Sequence, residues 1–144
     1  MPNNIAENTE IYLAFDFGMR NIGVAVGQRI TKTATPLTIL LAKTGVPNWQ
    51  EISQLIKHWR PTALVVGVPL HMDGREQQIT AAAKNFIEEL RKHFALPVYA
   101  AEERLTTKSA REQIFSTGGY KALQQEPIDS LAAKIILEGW LAKN

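Results

Sequence analysis

Apolar positions fall first in short unbroken runs and later at helical spacing. Residues 11–17, IYLAFDF, are apolar and aromatic apart from Asp16 and stop at Gly18, which predicts a buried strand. Residues 22–27, IGVAVG, predict a second strand, bounded by Asn21 and Gly27. The link Gly18-Met19-Arg20-Asn21 is short enough for a hairpin. A third strand is expected over 33–41, TATPLTILL, where Pro36 makes it an edge or an irregular strand. Three strands with tight links make an antiparallel meander.

The pattern then changes. Ile52, Leu55, Ile56 and Trp59 recur at i, i+3, i+4 and i+7, so 48–59 reads as an amphipathic helix stopped before Pro61. ALVVGV, 63–68, is a short β-branched run and predicts a buried strand. After the loop 69–75, residues Ile79, Ala82, Ala83, Phe86, Ile87 and Leu90 share one helical face. Pro97 opens a short strand, 97–101, and Thr106 or Thr107 can cap a helix reaching about Phe115. Residues 116–126 read as a loop. Pro127 suits the first turn of a final helix to Leu141, with Leu131, Ile135 and Ile136 or Leu137 available for burial. The order βββ-αβ-αβ-αα predicts one α/β domain over 11–144 behind a flexible segment, 1–10. Its mixed five-stranded sheet is an antiparallel meander continued by parallel strands and flanked by helices.

Composition narrows the function classes. In 144 residues the hydrophobic fraction is 45% and the charged fraction 21%, which suits a globular chain. The absence of cysteine removes disulfides, thiolate nucleophiles and cysteine zinc sites. The polar N-terminus, with Glu7 and Glu10, predicts neither a secretory nor a transit peptide, and no apolar run approaches the ~20 residues of a membrane span. A cytoplasmic protein is expected. The net charge of +2 points only weakly to nucleic acid. Between Arg104 and Lys121, four basic residues face one acid, Glu112, a surplus that could face a phosphate backbone, although composition alone favours a solvated helix face.

The carboxylates carry more. Asp16 interrupts an apolar strand just before a glycine, where an ionised group is costly unless partnered and where open α/β sheets place ligand crevices. An Asp in that position also bonds turn backbone, which is the structural alternative. Glu102 and Glu103 follow the strand 97–101 directly, and Arg104 can pair with either. Asp129 lies in the first turn of the last helix, where the helix dipole alone favours an acid by ~0.3–1 kcal/mol. Together these acids, each at a strand or helix end, are expected to converge on one sheet edge. Mg²⁺, or Mn²⁺ in its place, takes oxygen ligands and keeps waters, so a few carboxylates plus substrate phosphate suffice. Two such ions ~4 Å apart activate an attacking water and steady the leaving oxygen of a phosphodiester. His58, His71 and His93 have no metal spacing.

Four ordered segments, AFDFGMRNIGVAVG (14–27), VVGVPLHMDG (65–74), EERLTTKSA (102–110) and IDSLAAKIILEGWL (128–141), closely resemble the YqgF family. These bacterial proteins are described as Holliday junction resolvase-like or as pre-16S rRNA nucleases, and the resemblance runs from about residue 11 to 142. It implies a ribonuclease H-like fold and a cytoplasmic role in maturing the 5′ end of 16S rRNA. Matched position by position, Asp16 is the family's first-strand acid and Asp129 its last-helix acid. Glu103 matches the Glu of an Asp-Glu-Arg motif that begins here with Glu102. The metal set is then Asp16, Asp129 and Glu102 or Glu103, with Glu103 favoured. Related junction resolvases carry a fourth acid one turn after the last-helix Asp, where this chain has Ala132 and Ala133. Glu138, nine residues on, is about half a helical rotation away.

Phosphate contacts are expected from Arg20 in the first hairpin, from Arg75 in the loop after the central strand, and from Arg104 and Lys108, with Arg111 continuing the track. Trp49, Trp59 and Trp140 occupy helical positions suited to a core or an interface. The natural substrate is expected to be structured RNA, pre-16S rRNA on the resemblance, or branched DNA; ribosomal partners are compatible with the first. Two rivals come from other classes. Asp-Phe-Gly followed by an Ile-Gly-Val-Ala hairpin resembles the phosphate hairpin of actin-type and sugar-kinase proteins, but those clamp ATP between two domains. A non-catalytic RNA-binding protein of the same fold is the other, and it would tolerate Asp16→Asn.

Overall fold

The computed structural model describes residues 10–70, 78–104 and 128–144. The helix expected near 106–115, the loop 116–126 and the loop residues 71–77 lie outside the described residues. Strands β1 (Ile11–Asp16), β2 (Asn21–Gln28), β3 (Thr33–Lys43) and β4 (Val46–Pro47) come first, followed by helix α1 (Trp49–Trp59). Strand β5 (Ala63–Leu70), helix α2 (Gln78–His93), strand β6 (Val98–Arg104) and helix α3 (Ile128–Lys143) complete the order. The strands form one six-stranded sheet in the order β4-β3-β2-β1-β5-β6. β1 to β4 pair antiparallel, and β1, β5 and β6 run parallel.

The meander and the parallel strands follow the sequence expectation, with two corrections. The sheet has a sixth strand, β4, whose two residues are too few to leave an apolar pattern. β6 runs on to Arg104 because its ladder with β5 continues through Val68↔Glu102, Pro69↔Glu103 and Leu70↔Arg104. The two glutamates therefore lie within the strand and not after it. Pro36 sits opposite Ala25, next to a register shift between Val24 and Ala25, and β4 reaches only Ala42 and Lys43 on the other side. The proline thus occupies an irregular, edge-like stretch where its missing N–H is harmless.

Both sheet faces are covered, which is why β1, β2 and β5 read as unbroken apolar runs. On one face Leu13, Phe15, Ile22, Val24, Leu64 and Val66 pack against Ile52 of α1 and Phe86, Ile87 and Leu90 of α2. Asn48 caps α1 by accepting from the Gln50 N–H at 3.0 Å, and Arg60, in the left-handed region, closes its other end. The opposite face presents small side chains, Ala14, Ala34, Ala63 and Ala101, to Ile136, Leu137 and Leu141 of α3. Glycines bring α3 closer still. A Cβ at Gly27 would stand 2.7 Å from Leu137 Cδ2, and one at Gly67 would collide with Ile136 Cδ1. Ala132 and Ala133 are buried for the same reason, whereas Leu131 and Ile135 are only partly covered. The buried stripe of α3 is therefore rotated from the one expected. No described helix is long and apolar enough to cross a membrane.

Glu138 gives α3 a polar anchor. Its carboxylate accepts the backbone N–H of Ala34 in β3 at 3.0 Å, and Ala34 is itself buried. Glu138→Ala is expected to lower stability by about 1–3 kcal/mol, read as an unchanged urea m-value with a reduced midpoint. A midpoint equal to that of the wild type would show that water replaces the carboxylate at no cost.

Candidate active site at the carboxyl ends of the parallel strands

Strands β1, β5 and β6 are parallel neighbours and end at one edge of the sheet. In the row Asp16↔Gly67↔Ala101, Asp16 is the last residue of β1. Side chains alternate along a strand, so Asp16 shares the α3 face with Tyr12 and Ala14. On β6, Tyr99 and Ala101 belong to that face, and Glu103 holds the next position of the same parity, opposite Pro69. Glu102 holds the opposite parity and is exposed.

Helix α3 runs back against β1. Near its end, Trp140 lies over Tyr12 and Tyr99, at ring-centroid distances of 5.4 and 5.2 Å, close to the starts of β1 and β6. Ile136 lies over Gly67, level with Asp16. The helix N-terminus therefore points to the edge where β1, β5 and β6 end. Asp129 is its second residue, two turns and about 10 Å along the axis before Ile136. The register thus brings the positions of Asp16, Glu103 and Asp129 to one edge on one face, and sends Glu102 to the other. Of the three, Asp16 has its side chain among the described ones; those described side chains include no group of three metal-ligating residues.

The cross-strand neighbours of Asp16 on both sides are glycines, Gly23 on β2 and Gly67 on β5, and Ile136 of α3 is seated over Gly67. No side chain from either strand competes for the space beside a half-buried carboxylate. Gly18 starts the turn that follows; a Cβ there would collide with the carbonyl oxygen of Asn21, so only glycine fits so close a backbone approach. The turn is then tied to the β3–β4 hairpin. Ala42 N–H donates to the Arg20 carbonyl and Gly45 N–H to the Met19 carbonyl, each at 2.8 Å. Arg20 is exposed at this edge, and no described carboxylate forms an ion pair with it. Arg104 ends β6, while Arg75, Lys108 and His71 lie outside the described residues.

One buried hydroxyl here carries no pattern that sequence reasoning can detect. Thr80, near the start of α2, donates to the Pro69 carbonyl at 2.5 Å and fixes the end of β5 beside the Glu103 position. Gly23 and Gly67 did leave a signal, since glycine inside a strand marks a close approach.

The far end of the α3 face is built differently. The Tyr12 hydroxyl donates to Glu10 at 2.7 Å and accepts from Arg29 at 3.1 Å, while the guanidinium lies 5.2 Å from the Tyr12 ring centre and 5.5 Å from that of Trp140. Burial, partly offset by Arg29, raises the Tyr12 pKa above its ordinary value. This cluster locks the end of α3 opposite to Asp129. Elsewhere His93 stacks on Trp49 at 4.1 Å and His58 meets Trp59 edge-on, both on exposed helix surface and remote from the acids.

The RuvX family model, described as Holliday junction resolvase, matches residues 10–143. The chain is 54% identical over 132 residues to a Haemophilus ducreyi protein named "Putative pre-16S rRNA nuclease", covering 92% of this chain and 96% of that one. A Legionella pneumophila protein (strain Paris) of the same name is 48% identical over 134 residues, with 93% and 96% covered. Among solved structures the chain is similar to T. thermophilus RuvC in complex with Holliday junction substrate, with a TM-score of 0.52, 16% identity and 93% and 94% of the two chains covered. It is similar also to the fowlpox virus resolvase bound to Holliday junction DNA, with a TM-score of 0.56, 12% identity and 92% and 97% covered. These likenesses establish the ribonuclease H-like fold.

Proposed function

The chain belongs to the RuvX family of Holliday junction resolvases, and from that premise we propose that it is a metal-dependent cytoplasmic nuclease that hydrolyses phosphodiester bonds in pre-16S rRNA. The observation that carries the reading is the register. The positions of Asp16, Glu103 and Asp129 share one edge and one face, with glycines as the strand neighbours directly beside Asp16. Three carboxylates and no sulfur or imidazole make a hard oxygen donor set, which fits Mg²⁺ or Mn²⁺. When bound, such an ion makes water a nucleophile at neutral pH and offsets charge on the leaving oxygen. The protein's own part is to hold the acids on rigid elements. Asp16 is fixed between two strands, Glu103 beside a β5 end tethered by Thr80, and Asp129 on a helix seated by Ile136 against Gly67. Arg20 and Arg75, with Arg104 and Lys108, then position the phosphates without reading sequence.

RNA is preferred as the substrate because relatives at about half identity carry the rRNA nuclease name. The family description and the junction-bound neighbours favour branched DNA as the second reading. Against it, the two positions one turn beyond Asp129 are Ala132 and Ala133, both buried against the sheet. The test is cleavage of a labelled pre-16S rRNA leader and of a four-way DNA junction, with Mg²⁺, Mn²⁺ or EDTA. Metal-dependent cutting of the leader is expected. Junction cutting alone would transfer the reading to recombination, and no cutting of either polymer would end the nuclease reading for the isolated protein.

A further inference from the structure

A second surface at the same edge has no assigned role. The face that carries Asp16 continues across β2 to β3, where Asp16↔Gly23↔Ile39 form one row and Asn21↔Leu41 the next row outward. Leu41 is 75% exposed and Val46, on β4, is 60% exposed, an unusual pair of large apolar side chains to leave in water. They border an open hollow of about 690 Å³, with Arg20 and Lys43 on its rim. Among the described residues no carboxylate lines it and neither cation has an ion-pair partner. The hollow is rigid. Lys43 and Val46 pair across a tight turn in which Thr44 and Gly45 both have positive φ, 50° and 81°, and the turn is bonded to Met19.

We propose that this hollow seats one unpaired nucleotide of the RNA strand next to the cleavage position, its base on Leu41 and Val46 and its phosphate between Arg20 and Lys43. The proposal rests on the nuclease reading above and refines its substrate to RNA with a single-stranded flank. Three properties select this occupant. The floor is apolar and the rim cationic, which complements a base attached to a phosphate and suits neither a free anion nor a purely apolar ligand. The hollow lies two strands, about 10 Å, from the β1 line, so a strand lying on Asp16 reaches it within a few nucleotides. A paired base would keep its faces stacked in the helix, so only an unpaired one can use an aliphatic floor.

The test is fluorescence-anisotropy binding in EDTA, where no cleavage occurs, with a blunt RNA duplex and the same duplex carrying a short unpaired tail. The wild type is expected to bind the tailed RNA about tenfold more tightly. Leu41→Ser, at an exposed position that folding does not depend on, is expected to bring the tailed affinity down to the blunt value and leave blunt binding unchanged. Lys43→Gln is expected to weaken tailed binding and reduce its salt slope by about one. Equal affinity of the wild type for both RNAs, or a tail preference that survives Leu41→Ser, overturns the proposal and leaves the patch to a protein partner. The two readings separate cleanly. Leader cleavage with no tail preference would remove only the nucleotide seat, whereas tail preference without cleavage would remove only the nuclease.

Discussion

Asp16→Asn is expected to lower metal-dependent cleavage by at least about 10²–10³-fold at saturating Mg²⁺, in a protein that folds as well as the wild type. Losing a group that merely orients a metal ligand typically costs 10–100-fold, so losing a ligand's charge sets a larger floor. The asparagine keeps the size of the side chain and one carbonyl oxygen, and it fits between Gly23 and Gly67 without a clash. Metal-free stability is expected to change little, because the asparagine keeps a hydrogen-bonding oxygen and nearly the same volume. The measurement is a paired one: single-turnover cleavage of the pre-16S leader, and thermal unfolding in EDTA. Full activity in Asp16→Asn would make this residue a turn-bonding Asp and bring the non-catalytic RNA-binding reading forward. Loss of activity with a Tm lowered by more than about 4 °C would attribute the loss to folding, since that shift corresponds to roughly 1 kcal/mol in a domain of this size.

How far the sequence could be read depended on how each segment is buried. β1, β2 and β5 were legible because both their faces are covered, and α1 because Ile52, Leu55, Ile56 and Trp59 form one stripe on a polar helix. α3 was legible as a helix but not in its orientation. It is apolar nearly all round, and what turns Ala132 and Ala133 inward is the need for close approach to Gly27 and Gly67, a tertiary fact. β4 escaped because its turn uses Thr44-Gly45 and lacks the Asn-Gly signal of a two-residue hairpin. The candidate acids stand in the sequence at element ends, with Glu103 already favoured over Glu102 by the family motif. Which of the two shares the face of Asp16 follows from the extent of β6, and that extent was hidden. Apolar residues stop at Ala101, but backbone pairing with β5 does not depend on them and continues for three charged residues. Leu41 and Val46 could not be singled out either, since an apolar residue in a strand carries no sign in its own sequence of being exposed.

That parity makes the pair of glutamates a sharp test. Glu103→Gln is expected to cost about as much cleavage as Asp16→Asn, roughly 10²-fold or more, whereas Glu102→Gln is expected to change it less than about threefold. The two side chains are adjacent, equally charged and equally long, so general electrostatic or surface effects would move both variants together. Only their faces differ: Glu103 has the parity of Ala101 and Asp16, Glu102 that of Val98 on the α2 side. Rate against Mg²⁺ concentration separates the cases further. Loss of a metal ligand raises the Mg²⁺ needed for half-maximal rate in Glu103→Gln and leaves that of Glu102→Gln at the wild-type value. Equal losses in both variants would mean that β6 does not keep its strand alternation at the active edge. A loss confined to Glu102→Gln would mean that the acid site lies on the α2 face, and it would take the argument for α3 and Asp129 with it.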